Sequence, residues 1–238
     1  KREAILLLGS RQVGKTSLMY LLIQYLVHQK GINPTDVLYL DLERLEYLEL
    51  LNNGVQALQA FIQEQSPART KKYVFIDEIQ YLENPSNLVK LLVDHYSDKI
   101  KIFATGSSAL GIKTKFKDSL AGRKITFEIY SLSFKEYLIF KEEKELKEVV
   151  ERYTSFACSP EISPVTKNKL LACYFDYALF GGYPAVVLLK AGEEKKKYLD
   201  EIYSSYIRRD VGALFHMENM SAFNKVVKLL ALGIGGLV

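Results

Sequence analysis

The sequence predicts an α/β fold, a parallel sheet with helices on its faces, followed by a helical unit. Three observations carry that expectation. Short apolar runs alternate with amphipathic runs, the pattern of parallel strands joined by helices. The first apolar run, Ala4–Leu8, leads straight into a glycine-bearing loop and then a helix-period segment. Beyond Tyr130 the strand-like runs cease, and the chain reads almost wholly helical as far as Tyr206.

Each element follows from its own pattern. Ala4–Leu8 is continuously apolar, as expected for a strand covered on both faces. Its basic-then-apolar start is too short for a signal peptide and is read as a buried strand. Leu18, Leu21, Leu22, Tyr25 and Leu26 recur at helical spacing and predict one buried stripe, with the helix ended by Gly31 and Pro34. Val37–Asp41 is the second strand, and Val55–Gln65 is a helix closed by Ser66-Pro67. Tyr73–Asp77 is the third strand, and Leu88, Leu91, Leu92 and His95 mark the next helix. Ile100–Thr105 and Lys124–Ile129 complete the sheet. Ser133 and Glu136 fit a capping box that opens the helical part. That part is interrupted by the polar stretch Cys158–Thr166 and by Gly181-Gly182-Tyr183-Pro184. The expected organisation is a core over 1–130, a helical lid over 131–209 and the start of a truncated C-terminal domain over 210–238.

Composition narrows the function classes. The chain has 238 residues, 48% of them apolar, enough for a sizeable core. A net charge of +4 permits a nucleic-acid contact without demanding one. Cys158 and Cys173 form no C-x-x-C pair, and His28, His95 and His216 are scattered, so neither set has metal-ligand spacing. No run approaches the ~20 apolar residues that span a bilayer, and a cytoplasmic protein without membrane contact is expected.

The chemistry is concentrated in two motifs. Gly9-Ser10-Arg11-Gln12-Val13-Gly14-Lys15-Thr16 matches the P-loop pattern at every specified position, with Ser17 following in the helix. A triphosphate tail needs several backbone amides converging on it, and glycines let the chain turn tightly enough to present them. Lys15 adds a mobile positive charge, Thr16 a hydroxyl for Mg²⁺, and the helix its positive end. Tyr73-Val74-Phe75-Ile76-Asp77-Glu78 is a buried strand with two acids at its carboxyl end, where ligands of open α/β sheets bind. Asp77 is the expected Mg²⁺ ligand and Glu78 the expected general base for an attacking water. The two motifs together predict a P-loop NTPase that uses ATP and Mg²⁺.

Two further features are candidates. Thr105-Gly106-Ser107-Ser108 ends the fourth strand. If that strand lies between the first and third, a hydroxyl there faces the γ-phosphate, Ser107 first and Thr105 second. Leu120-Ala121-Gly122-Arg123 offers an arginine for the transition-state charge, or equally a structural ion pair.

These segments, with S-L-S-F-K-E-Y at 131–137, G-G-Y-P at 181–184 and Y-I-R-R-D at 206–210, resemble a large AAA+-related family of prokaryotic ATPases. That family is close to the STAND class of signalling NTPases, and its C-terminal part is a domain of unknown function. The resemblance implies an AAA-like core with a helical lid, in which Gly182 and Pro184 touch the nucleotide. A glycine break followed by a proline at the next helix start explains the same residues structurally.

The leading expectation is an ATP-driven switch or remodelling ATPase, acting as a homo-oligomer or on a protein partner. The alternative is a DNA-handling ATPase, such as a loader or replication-associated factor. Its basis is two basic segments, Lys113, Lys115, Lys117, Arg123 and Lys124, and Arg69, Lys71 and Lys72. A solvated surface accounts for both equally. A small-molecule kinase fits poorly with an acid directly after Asp77. A GTPase fits worse, because no N-K-x-D motif is present.

Overall fold

A computed structural model describes residues 2–66, 68, 70–107, 120–154, 162–207 and 220–234. Five strands form one sheet: β1 (Ala4–Gly9), β2 (Val37–Asp41), β3 (Lys72–Asp77), β4 (Ile100–Ser107) and β5 (Lys124–Ile129). Their order is β2-β3-β4-β1-β5 and every pairing is parallel. Parallel neighbours need crossovers, and the intervening helices supply them: α1 (Lys15–Gln24), α2 (Leu45–Asn52), α3 (Val55–Gln65) and α4 (Pro85–Tyr96). The predicted α/β P-loop architecture is therefore present. The sequence reading had left α2 unassigned.

Strand alternation sends side chains to two separate cores. On one face Leu6, Leu8, Val74, Ile76 and Ala104 pack with Leu51, Leu58, Leu88 and Leu92 of α2, α3 and α4. On the other, Leu7, Phe75 and Phe103 pack with Met19 of α1, and the two phenyl rings stack with centroids 4.6 Å apart. Met19 is fully buried, and burial of such a side chain contributes about 1.5–3 kcal/mol. The predicted α1 stripe is corrected here. Leu22 and Leu26 of that stripe do pack on the sheet, together with Met19 and Ile23, but Leu21 is 60% exposed and Tyr25 47%. The helical spacing holds, and the buried face is turned toward Met19 and Ile23 relative to the predicted stripe.

The helical part begins at the expected capping box, with Ser133 and Glu136 bonded reciprocally at the start of α5 (Phe134–Phe140). α6 (Lys144–Thr154), α7 (Pro164–Phe180), α8 (Pro184–Leu188), α9 (Gly192–Tyr206) and α10 (Met220–Leu232) follow. Tyr137, Leu138, Leu146 and Val187 form their own core, ringed by Phe134, Leu170 and Tyr177. Lys195 of α9 is buried and holds both oxygens of Asp176, at 2.6 and 2.7 Å, while Tyr137 donates to the same carboxylate. This network ties α5, α7 and α9 together. Among the described residues no helix is long and apolar enough to cross a membrane.

Of the basic segments, Lys71 is exposed and Lys72 is built into the fold. Lys72 is buried and bonds Asp36, Ser66 and Thr70, and Lys71 donates to the Ser97 carbonyl at 3.0 Å. Burial raises the Asp36 carboxyl, but these bonds outweigh it and hold it below its ordinary value. Removing one partner of such a pair typically costs about 3–5 kcal/mol, so Lys72 is part of the fold. Arg69, Lys113, Lys115, Lys117, Cys158, His216 and Arg208-Arg209-Asp210 lie outside the described residues.

Candidate functional site

The site is built where β1, β3 and β4 end side by side. β4 lies between β1 and β3, as required for one of its hydroxyls to face the loop. Gly9 is the last residue of β1 and pairs with Ser107 on one side and Ile129 on the other. A Cβ on Gly9 would stand 2.3 Å from the Ile129 carbonyl oxygen, so only glycine fits between the strands there. The loop then turns through two left-handed residues, Gln12 (φ 62) and Gly14 (φ 99). Val13 is buried beneath it and anchors it to the sheet. α1 starts at Lys15, so its first amides face the cleft.

Lys15 is buried, and its Nζ donates to the carbonyls of Gly9 and Ser10 at 3.0 and 2.9 Å. Thr16 Oγ1 donates to Asp77 Oδ2 at 2.8 Å. A hydroxyl and a carboxylate oxygen side by side are hard donors suited to Mg²⁺, which binds through one or two carboxylates plus substrate phosphates. Asp77 is held from two more directions. Tyr39 of β2 donates to Oδ2 at 2.7 Å, and Thr105 of β4 donates to Oδ1. Burial, with Tyr20 and Asp77 beside it, pushes the Tyr39 phenol well up, so it remains a donor. Glu78 follows in the left-handed region, and its N–H donates to Thr105 Oγ1 at 2.9 Å.

The lid closes the other side. The loop residues Arg11, Gln12, Gly14, Lys15, Thr16 and Ser17 line a cleft of about 540 Å³ together with Glu78. Pro184 and Ala185 at the start of α8, and Tyr198 and Ser205 two turns apart on one face of α9, form the opposite wall. Pro184 Cγ would lie only 3.9 Å from a Cβ on Gly14. Gly182 is pressed against the backbone of Leu132, whose N–H donates to its carbonyl at 2.7 Å. A Cβ there would stand 2.1 Å from the Leu132 oxygen.

The structure thus brings together Gly9, Gly14, Lys15, Thr16, Asp77, Glu78, Thr105 and Pro184, with Gly182 one step behind. Ser107 is buried at the level of Gly9, but Thr105 is the β4 residue whose hydroxyl reaches the acids. Arg123 is a correction. β5 runs parallel to β1 with Lys124 opposite Ala4, so Arg123 sits at the far end of the sheet, about 20 Å of strand from the loop. Its Nε instead donates to Asp94 of α4 at 2.6 Å. It does not contact the cleft of its own chain.

Sequence reasoning missed Tyr39, Gln80, Tyr198 and Ser205. The signal for Tyr39 was a polar-tipped ring inside the apolar run Val37–Leu40; Asp41 pairs with Asp77, which places Tyr39 two residues back on the same face. Gln80 stands two residues beyond the Tyr73–Glu78 segment and has no role in the sequence reading.

The sequence profile of an AAA domain matches residues 1–138, and that of a domain of unknown function (DUF8612) matches 172–238. An uncharacterized protein of Haemophilus influenzae is 31% identical over 232 residues, covering 97% of this chain and 51% of that protein. An uncharacterized protein of Methanocaldococcus jannaschii is 29% identical over 222 residues, covering 93% of this chain and 44% of its own length. The chain spans about half the length of the curated relatives it matches. Among solved structures, C. elegans PCH-2 aligns with a TM-score of 0.47 at 17% identity, over 86% of this chain and 61% of that one.

Proposed function

The chain belongs to the AAA domain family, and on that premise we propose that it binds Mg·ATP, hydrolyses it, and uses the nucleotide to set the position of its lid. The observation that carries the reading is the convergence of Thr16 and Asp77, 2.8 Å apart, beneath the glycine loop and beside Glu78. The loop amides and Lys15 bind the phosphates, and Lys15 exchanges its bonds to the Gly9 and Ser10 carbonyls for phosphate oxygens. Thr16 and Asp77 would hold the metal, which would supply positive charge against the phosphates. Glu78 takes a proton from the attacking water. Pro184, Tyr198 and Ser205 face the same cleft, so nucleotide and lid share one wall. A nucleotide-dependent change there would be passed to whatever follows α9.

The basic residues that suggested DNA handling are otherwise engaged where they are described, so the switch reading is favoured. Two variants test it. Lys15→Ala should abolish tight ATP binding in a fluorescence titration, because the one mobile cation on the outer phosphates is gone. Glu78→Gln should keep Mg·ATP bound while steady-state turnover falls about 10²–10⁴-fold, since an amide cannot take a proton from water. Wild-type affinity in the first, or wild-type turnover in the second, would sink the assignment.

A further inference from the structure

We propose that Gln80 is a positioning residue for Glu78, fixing from the end of β4 the angle at which that carboxylate faces the cleft. The proposal rests on the hydrolytic reading above. β3 stops at Asp77, and Glu78 adopts φ 57, ψ 49, a conformation uncommon for a residue with a Cβ. The turn is pinned at three points. Ile79 is fully buried and opens a single 3-10 turn, Ile79–Tyr81. The Glu78 N–H is taken by Thr105. Gln80 folds back so that its side-chain amide has two partners: Oε1 accepts from the Ser107 N–H at 3.3 Å, and Nε2 donates to Glu78 Oε2.

An amide cannot exchange those roles. With its oxygen committed to a backbone N–H, only its NH₂ is available to Glu78. One carboxylate oxygen is thereby held, and the other is left to receive a proton. Ser107 is also the register partner of Gly9, the first residue of the phosphate loop. The strand beside the loop therefore sets the base through Gln80. Supporting groups of this kind change activity about 10–100-fold without touching the substrate.

Gln80→Glu keeps the length and an oxygen for Ser107 but sets a carboxylate against a carboxylate. Its kcat should fall about 10–100-fold, with the KM for ATP and the Kd of a fluorescent ATP analogue in Mg²⁺ within about twofold of wild type. Gln80→Met, similar in shape and uncharged, guards against misfolding and should show the same split at an unchanged Tm. In the double variant Gln80→Met/Glu78→Gln, the single-turnover rate should equal that of Glu78→Gln alone, because Gln80 acts only through Glu78. An unchanged kcat in Gln80→Met, an additive loss in the double variant, or a joint fall of kcat, binding and Tm overturns the proposal. Failure of the hydrolytic reading is distinguishable, since Glu78→Gln by itself would then turn over like wild type.

Discussion

Arg123 and Thr105 are instructive opposites among single residues. Both were candidates by residue type and by position next to a strand. Strand direction separates them: Thr105 is near the carboxyl end of β4, where the loop lies, and Arg123 precedes β5, at the other end. In a parallel sheet a residue that precedes a strand lies at the end away from the ligand, so the expected sheet itself argues against Arg123 in the cleft. Asp94 and Arg123 shift each other as ion-paired groups do, the carboxyl downwards and the guanidinium upwards, chiefly through their hydrogen bond. Arg123→Ala should therefore leave ATP affinity and turnover of the isolated chain close to wild type in a coupled assay. A collapse of turnover that is rescued by mixing with Glu78→Gln protein would reverse that reading, by making Arg123 act on a neighbouring copy.

The lid depends on elements meeting at glycines and at one buried charge. Gly181 has φ 73 and ends α7, Gly182 lies under Leu132, and Pro184 begins α8 at a position where proline costs no hydrogen bond. Gly182→Ala should push the Leu132 backbone and lower Tm by roughly 2–10 °C in a thermal melt, taking overpacking as about 1–3 kcal/mol. An unchanged melt would mean that the junction is looser than its contacts indicate. The punctuation G-G-Y-P was legible in the sequence as a helix break. That the same break carries Pro184 to the phosphate loop was implied only by the family resemblance and not by the residue pattern, because it depends on how α5 and α7 pack. The Asp176–Lys195–Tyr137 network was equally hidden, since its members lie far apart along the chain and none belongs to a motif.

At the scale of the whole molecule, β1, β3 and β4 were readable because parallel strands buried on both faces are mostly apolar runs, whereas the edge strand β5 is largely exposed and alternates apolar with polar residues. The faces of the helices were less readable: α1 is apolar nearly all round, so periodicity alone could not choose its inner side. Core and lid each contain a carboxylate held low beside a buried lysine, Asp36 and Asp176; in both, burial opposes the shift, and the bonds to Lys72, Thr70 and Ser66, or to Lys195 and Tyr137, together outweigh it. A depressed folded value means that the stabilisation is complete above the ordinary 3.8 and is lost as pH falls through the lower, folded value. Tm should thus be flat from neutral pH to about 5 and drop below about 4, less steeply in Lys195→Met. A Tm that is level into that acid range would show that the two pairs contribute nothing. The strand order has one more consequence, for the order in which the chain can fold. β1 lies between β4 and β5, so Ile5 waits for Phe103, and Ala4 for Lys124, before any neighbour exists to pair with it. During synthesis β2 and β3 can associate early, while the strand that leads into the phosphate loop stays a bare apolar ribbon until most of the sheet has been translated. Such distant pairing slows folding and leaves the ribbon open to wrong partners, so the nascent chain is most vulnerable in the segment that the finished protein relies on most.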